Sequence, residues 1–487
     1  MSGKPVVCAA ATLGSWGLVL LLLGLPASGA ASAVSMADPL RVEARVGPPS
    51  LVSAEADWER FCAVLPSWPP ATRQELGQLA LCNNKRLKIA LASLQAQAAR
   101  HGQSIAAGLP TVSLVTSANA RNTQSFPIDN RSELLVQGDQ DRLRKTGLSL
   151  SLPIPLSGAV TAGIASAHEL VSSASWEVQE QMDTVLVDVL RAIFELHLAQ
   201  ALTDVYQSGR ALAQESAQIA RRREVGGVAS QAEVLQAEAA AARSEMDLRR
   251  AQEDLFVKQA ALASVLALPP EQVARWQLEA AHMGLRVRPL SEQETALDRP
   301  AYRRPAMEAV QAKLRAAEHR RSQVRREGWL TASVTAGLAQ QTQRNRGLLT
   351  QSGLEKTVGL TVAVPIFEGF ARHYKVDEAS AQLESLQQES EDLRIRIHAE
   401  VTQNRAVLMQ EDDFKTKAER YLSLSQASHQ AALQRYRKGL ADIMEVVNAQ
   451  RELINARAEH LQASTRLAIA QLRVNRDQGR LHEEFRP

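Results

Sequence analysis

The sequence predicts a chain of long paired helices joined to a few membrane-type β-strands, with the whole plan built twice. Three observations predict it. Two stretches, 156–268 and 366–486, run for 113 and 121 residues without proline. They align with each other at a constant offset of 212 residues. Ahead of each lie segments whose apolar residues recur at every second position.

The second stretch is the clearest helix signal. Its only glycines are Gly369, Gly439 and Gly479. Proline costs about 3 kcal/mol and glycine about 1 kcal/mol inside a helix relative to alanine, so their near absence favours continuous helix. Leu383, Leu386, Leu393, Ile397, Val401 and Leu408 step by three or four along it, a stripe closer to a coiled-coil seam than to a globular core face. The interior break is Tyr436-Arg437-Lys438-Gly439-Leu440-Ala441-Asp442. A glycine after a cationic last turn stops a helix, and Asp442 is a good N-cap for the next. Two antiparallel helices therefore meet at a tight turn. The first, about 68 residues at ~1.5 Å each, reaches on the order of 100 Å.

The first stretch repeats this plan. Pro153 aligns with Pro365, Gly227 with Gly439, Glu233 with Glu445 and Ala237 with Ala449. One offset over so many landmarks indicates internal duplication. The expected organisation is a signal segment over 1–33, an extended segment over 34–70, a first repeat over 71–268, an irregular linker over 269–299 and a second repeat over 300–487.

Lys4, the apolar run Leu13 to Leu25 and the small residues ending in Ala31-Ser32-Ala33 read as a secretory signal peptide, too short for a membrane span. Cys8 would leave with it, and the absence of a cysteine close behind argues against a lipoprotein anchor. Export permits a disulfide between Cys62 and Cys82, although two separate thiols are the plainer reading. A helix is expected from about Ala71 to Ala107.

The strands follow. Thr111 to Ala118, with Val112 and Leu114, alternates apolar and small polar residues. So does the run with Leu148, Leu150, Leu152 and Ile154 on one face and Gly147, Ser149 and Ser151 on the other. In the second repeat Ala332, Val334, Ala336 and Leu338 form one apolar face, and Val358, Leu360, Val362, Val364 and Ile366 the next. This is the period of strands. Arg121 to Lys145 and Gln340 to Lys356 read as polar connections.

Strands of about ten residues with one apolar face fit an outer-membrane barrel, whereas the narrow helix stripes offer nothing broad enough to cover them. Four strands cannot close, and an open edge cannot sit in lipid. Several copies related by cyclic symmetry must supply the rest: three copies give twelve strands, two give eight. Aromatic girdle residues are sparse, only Phe126, Trp329, Phe367, Phe370 and Tyr374 lying near strand ends.

The pattern Tyr436-x-x-Gly439-Leu440-Ala441-x-x-x-Glu445-Val446-x-x-Ala449-Gln450, its counterpart Val225-x-Gly227-Val228-Ala229-x-x-x-Glu233-Val234-Leu235-x-Ala237, and the junction Val364-Pro365-Ile366-Phe367 resemble the TolC family of outer-membrane factors. The resemblance covers about residues 71 to 482. It implies a trimeric, twelve-stranded outer-membrane β-barrel, four strands per chain, continued by a long periplasmic α-helical barrel. It also implies an exit duct for type I protein secretion or for drug efflux, working with a periplasmic adaptor and an inner-membrane transporter, an ABC transporter in the secretion case. Without a lipoprotein cysteine the resemblance leans to secretion, toward the branch that exports cyclolysin-like toxins.

The same resemblance assigns residues. Members line the periplasmic aperture with two acids three apart; Glu445 and Asn448 occupy those positions, the second without charge. A tyrosine and an arginine hold the closed tip; Tyr436 matches the tyrosine, while Ala441 stands where the arginine would be. Glu233 matches an acidic latch partner, and a bond from Tyr436 to Glu233 is expected. Solvated surface near a helix N-terminus, where acids are favoured anyway, is the bland reading of Glu445 and Glu233. Gly227, Val228, Ala229, Gly439, Leu440 and Ala441 are the expected adaptor-docking turns. Val112, Leu114, Leu148, Leu150, Leu152, Val334, Leu338, Val358, Leu360 and Val362 are the expected lipid-facing strand residues.

No phosphate loop, dinucleotide fingerprint, nucleophile elbow or metalloprotease motif is present, so neither an enzyme nor a cofactor is expected. The ten histidines show no ligand spacing. Arg221-Arg222-Arg223, His319-Arg320-Arg321 and Arg325-Arg326 read as solvated helix faces; a net charge of +3 with 4% aromatics gives no nucleic-acid footprint. A periplasmic adaptor is the other candidate, but it would carry one hairpin rather than two, each preceded by paired strands.

Overall fold

The computed structural model describes residues 40, 62, 73–123, 139–273, 304–345, 350–479 and 481. The chain divides into two compact units, residues 1–41 and 42–487, and the elements below all belong to the second. The expected signal segment, most of the extended segment, Phe126 and most of the linker lie outside the described residues.

In order, the elements are α1 (Arg73–Asn83), α2 (Lys85–Ala106), β1 (Thr111–Thr123), β2 (Asp139–Ile154), α3 (Ala159–Val225), α4 (Gln231–Leu266), α5 (Pro270–Val273), α6 (Pro305–Arg326), β3 (Thr331–Asn345), β4 (Gln351–Ala363), α7 (Ala371–Arg437) and α8 (Ile443–Asp477). Both long helices, α3 and α7, contain 67 residues. The two repeats match down to backbone detail: Phe370 at the start of α7 takes the left-handed conformation (φ 64°) that Gly158 takes (φ 69°) at the start of α3.

The helix expected over 71–107 is two helices, because the Asn84 side chain accepts from the backbone N–H groups of Arg86 and Leu87 and caps a second start. The reading of two separate thiols is corrected: Cys62 and Cys82 form a disulfide. A short helix, α5, occupies the start of the expected irregular linker.

The four strands make one antiparallel sheet in the order β1-β2-β3-β4. Both polar connections are shorter than expected. Arg142 to Lys145 belong to β2, Gln340 to Asn345 to β3, and Gln351 to Lys356 to β4. Conversely, β4 ends at Ala363, so Val364 and Ile366 lie beyond it. Strands continue past the apolar rows wherever the ladder continues, and there the regular alternation of apolar and polar residues is lost.

Register sorts the faces. Val112 pairs with Leu150, Leu150 with Ala336 and Ala336 with Val358; Leu152 pairs with Val334 and Val334 with Leu360. Leu114, Leu148 and Leu338 form another row on that face. Directly paired residues share a face, so the expected apolar positions form one continuous band. The opposite face carries Ser113 and Ser149, whose hydroxyls meet at 2.6 Å, and an ion pair between Lys145 and Glu355 at 2.8 Å.

The helices lie side by side in the order α4, α3, α8, α7. The main core is where α1, α2, α3, α4 and α8 converge, around Leu76, Leu87, Leu186, Leu190, Leu196, Leu262 and Leu266. Each fully buried leucine of this kind contributes about 1.5–3 kcal/mol. The outer helices keep apolar side chains exposed: Leu235, Met246, Phe256 and Val257 on α4, and Ile395, Met409 and Leu424 on α7. A single chain therefore leaves both its strand edges and its helix edges unpaired.

Candidate functional site: the hairpin tips

Each hairpin ends in a glycine turn. After α3 the backbone N–H of Gly227 donates to the Glu224 carbonyl (2.8 Å) and that of Val228 to the Arg223 carbonyl (2.9 Å). After α7 Gly439 donates to Tyr436 (3.0 Å) and Leu440 to Arg435 (2.9 Å). These bonds satisfy the last carbonyls of each helix and require a left-handed residue, which glycine supplies at no steric cost. Gly227 has φ 69° and Gly439 φ 73°. Val228 and Leu440 are then left 67% and 68% exposed, with Gly227 and Gly439 beside them in solvent; Ala229 and Ala441 are half-buried. Each tip is thus a small apolar knob.

Both second helices are capped. Ser230 and Glu233 form a reciprocal capping box at the start of α4, and Asp442 accepts from the Met444 N–H at the start of α8. The capping box decides the role of Glu233. Its carboxylate accepts from the Ser230 N–H at 3.3 Å, so the expected bond to Tyr436 is not formed. A carboxylate three residues after a serine N-cap reaches its own helix start before anything else.

Tyr436 instead meets Arg223. It is 1% exposed, packed among Ala217, Ala220, Val234, Ile443 and Val446, where the two hairpins touch. The Arg223 guanidinium lies 4.5 Å from the ring centroid and donates to the Tyr436 carbonyl at 3.0 Å. Burial pushes the Tyr436 phenol above its ordinary value, and the nearby Arg223 charge opposes that. Among the described residues the hydroxyl has no partner in hydrogen-bond geometry. Of the Arg221–Arg223 run, only Arg223 departs from the expected solvated face: Arg221 is exposed and pairs with Glu238, and Arg222 is exposed. Ala441 packs against the same cluster, and the cation that reaches this turn, Arg223, comes from the other hairpin.

Glu445 accepts from Arg435 at 2.9 Å, across its own turn. Asn448, one turn further along α8, is exposed and accepts from Arg451 at 3.4 Å. It borders a groove of about 360 Å³ between α3, α4 and α8, lined also by Tyr206, Arg243, Asp247 and Ile454. The hairpins are laced together by Gln450, which donates to Ser216 Oγ (2.7 Å) and the Leu212 carbonyl (3.2 Å). Among the described residues no group of histidine, cysteine or acidic side chains could hold a metal ion.

Two duplicated hairpins on one antiparallel sheet define the architecture, and comparison with known proteins identifies the family. The model of the outer membrane efflux protein family matches residues 76–268 and 297–479. The chain belongs to the outer membrane efflux protein family. Protein CyaE of Bordetella pertussis is 26% identical over 421 residues, covering 84% of this chain and 85% of that one. Among solved structures, the outer-membrane channel OprN superposes with a TM-score of 0.72 at 20% identity, covering 92% of this chain and 96% of the other. VceC of Vibrio cholerae gives 0.70 at 17% identity, covering 84% and 96%.

Family membership fixes the assembly that the lone chain leaves open. The fold is a trimeric channel of the TolC type in the outer membrane of Gram-negative bacteria, with a periplasmic helical extension. Four strands from each of three chains make twelve, and closing the barrel requires the free edges of β1 and β4 to pair between chains. The protein is an outer-membrane channel of this family, not a periplasmic adaptor.

Proposed function

We propose that this channel is the exit duct of a type I secretion machine, passing a protein of the RTX-toxin kind handed over by an ABC transporter. The observation that carries the reading is the similarity to CyaE, whose 84% coverage is too long to be confined to one repeat. The knobs at Gly227-Val228-Ala229 and Gly439-Leu440-Ala441 are the surfaces on which the periplasmic adaptor docks. Arg223 and Tyr436 hold the two hairpins of each chain together at the closed tip. Glu445 and Asn448 border the aperture, and Glu233 keeps the first tip in shape through its cap.

Small-molecule efflux is the second reading, supported by the family description itself. Deleting the gene and comparing culture supernatant with drug sensitivity separates the two. Loss of a secreted protein at unchanged drug sensitivity is the expected result. Heightened drug sensitivity with an unchanged supernatant overturns it in favour of efflux.

A further inference from the structure

Beyond the apolar band, the lipid-side face of the sheet changes character. Arg142 stands directly opposite Arg344 across the β2–β3 ladder, and Arg144 follows two residues along the same face. All three are exposed. Like charges directly opposed across a strand pair are destabilising, so packing gives no reason to place them together. Among the described residues no carboxylate shares that face. Glu355 points to the other one, where it pairs with Lys145. Lys356, opposite Leu338, is also on the lipid side, lower in the band, with a stem long enough to bring its ammonium upward.

The height of the cluster is set by the strand. Arg144 lies ten residues above Ile154, the lowest apolar residue of β2. Ten residues at ~3.3 Å span roughly 33 Å along the strand, or about 25 Å along the membrane normal at a 40° tilt. That equals the height of an outer-membrane barrel's apolar band, about 25 Å. The helices leave from the opposite end of the sheet and are periplasmic, so the cations stand at the upper boundary of the hydrocarbon, facing the external leaflet.

We infer that Arg142, Arg144 and Arg344 form a binding site for the phosphorylated glycolipid headgroups of the outer leaflet. Guanidinium forks match phosphate oxygens in pairs, and an anion shared between Arg142 and Arg344 turns a repulsive cross-strand pair into a bridged one. Central strands carry the site, away from the seams between chains.

The test uses the full-length trimer in detergent, titrated with lipopolysaccharide, with its dephosphorylated form, and with phosphatidylglycerol, and read by native mass spectrometry. The wild type is expected to retain phosphorylated lipopolysaccharide and to bind the other two at least tenfold more weakly. Replacing Arg142, Arg144 and Arg344 by glutamine should weaken retention roughly fivefold per arginine, while Lys88→Gln on the periplasmic α2 changes nothing. Equal retention of the phosphorylated and dephosphorylated forms by the wild type overturns the inference, whatever the variants do. Equal retention of phosphatidylglycerol overturns it in favour of generic anionic lipid. An undiminished affinity in the triple variant overturns the assignment to these residues.

Discussion

The guanidinium of Arg223, on the last turn of α3, stacks on the ring of Tyr436, on the last turn of α7, at 4.5 Å. It also donates to that residue's own carbonyl at 3.0 Å. The two contacts join the hairpins at their tips, with a cation–π attraction worth about 0.5–2 kcal/mol according to how dry the site is. Three symmetric copies multiply it. Arg223→Ala should therefore raise single-channel conductance in planar bilayers and shorten closed times. Tyr436→Phe keeps the stack and removes only a hydroxyl without a hydrogen-bond partner, so it should leave conductance near wild type. A large opening effect of Tyr436→Phe would show that the phenol, not the stack, holds the tip.

Gly439 tests docking. A Cβ there meets only the tip of Arg223, at 3.9 Å, so the cost of a side chain is conformational. A left-handed non-glycine residue costs roughly 1–2 kcal/mol, too little to dismantle a helix pair of this size. Gly439→Trp should abolish export while the trimer remains intact by native mass. Normal export by this variant would place the adaptor contact elsewhere.

The sheet register makes a face-specific prediction. Leu150→Arg and Val358→Arg put a charge on the apolar band and should cost about 2–4 kcal/mol each near the bilayer midplane, lowering the outer-membrane level of the channel. Ser149→Arg, one residue away on the opposite face, should assemble normally. Immunoblots of outer-membrane fractions read all three, and equal levels would invalidate the assigned facing.

Where α6, α7 and α8 meet, Arg304 donates to Glu400 at 2.7 Å and to the buried Asp477, which also accepts from Asn404 at 2.8 Å. Burial raises the Asp477 carboxyl above its ordinary 3.8, against the pull of Asn404 and Arg304. A raised carboxyl contributes stability that is full below pH 3.8 and is lost as pH rises through the folded value. Arg304→Gln removes the cation that offsets this loss and should destabilise by about 3–5 kcal/mol at pH 7.5. Because Asp477 then protonates more readily, the deficit should shrink at pH 5. Thermal melts of the detergent-solubilised trimer at the two pH values check the sign; a deficit that grows on acidification would contradict it.

The helical plan was legible residue by residue. A proline-free run with one glycine break reads as a hairpin because helix propensity and capping act within a few residues of sequence, and both turns fall where Gly227 and Gly439 stand. The apolar strand rows were legible for the same reason. The strand ends were not: from Gln340 to Asn345 both faces are polar, and from Arg142 to Lys145 Leu143 is the single apolar residue, so the apolar rows break off although the ladder continues. Ser230 and Glu233 carry the spacing of a capping box in plain view, yet the family likeness drew Glu233 toward the latch.

The sequence by itself determined the duplication, the four strands, the apolar face of the sheet and the two glycine turns, since each is written in local spacing. Only the tertiary structure chose Arg223 from three consecutive arginines, bonded Cys62 to Cys82, and gathered Arg304, Glu400, Asn404 and Asp477. Those partners stand 213, 20 and up to 173 positions apart. Which cation reaches which ring or carboxylate depends on how two long helices are rotated against each other, and that rotation is set by the packing of whole faces rather than by any neighbouring residue.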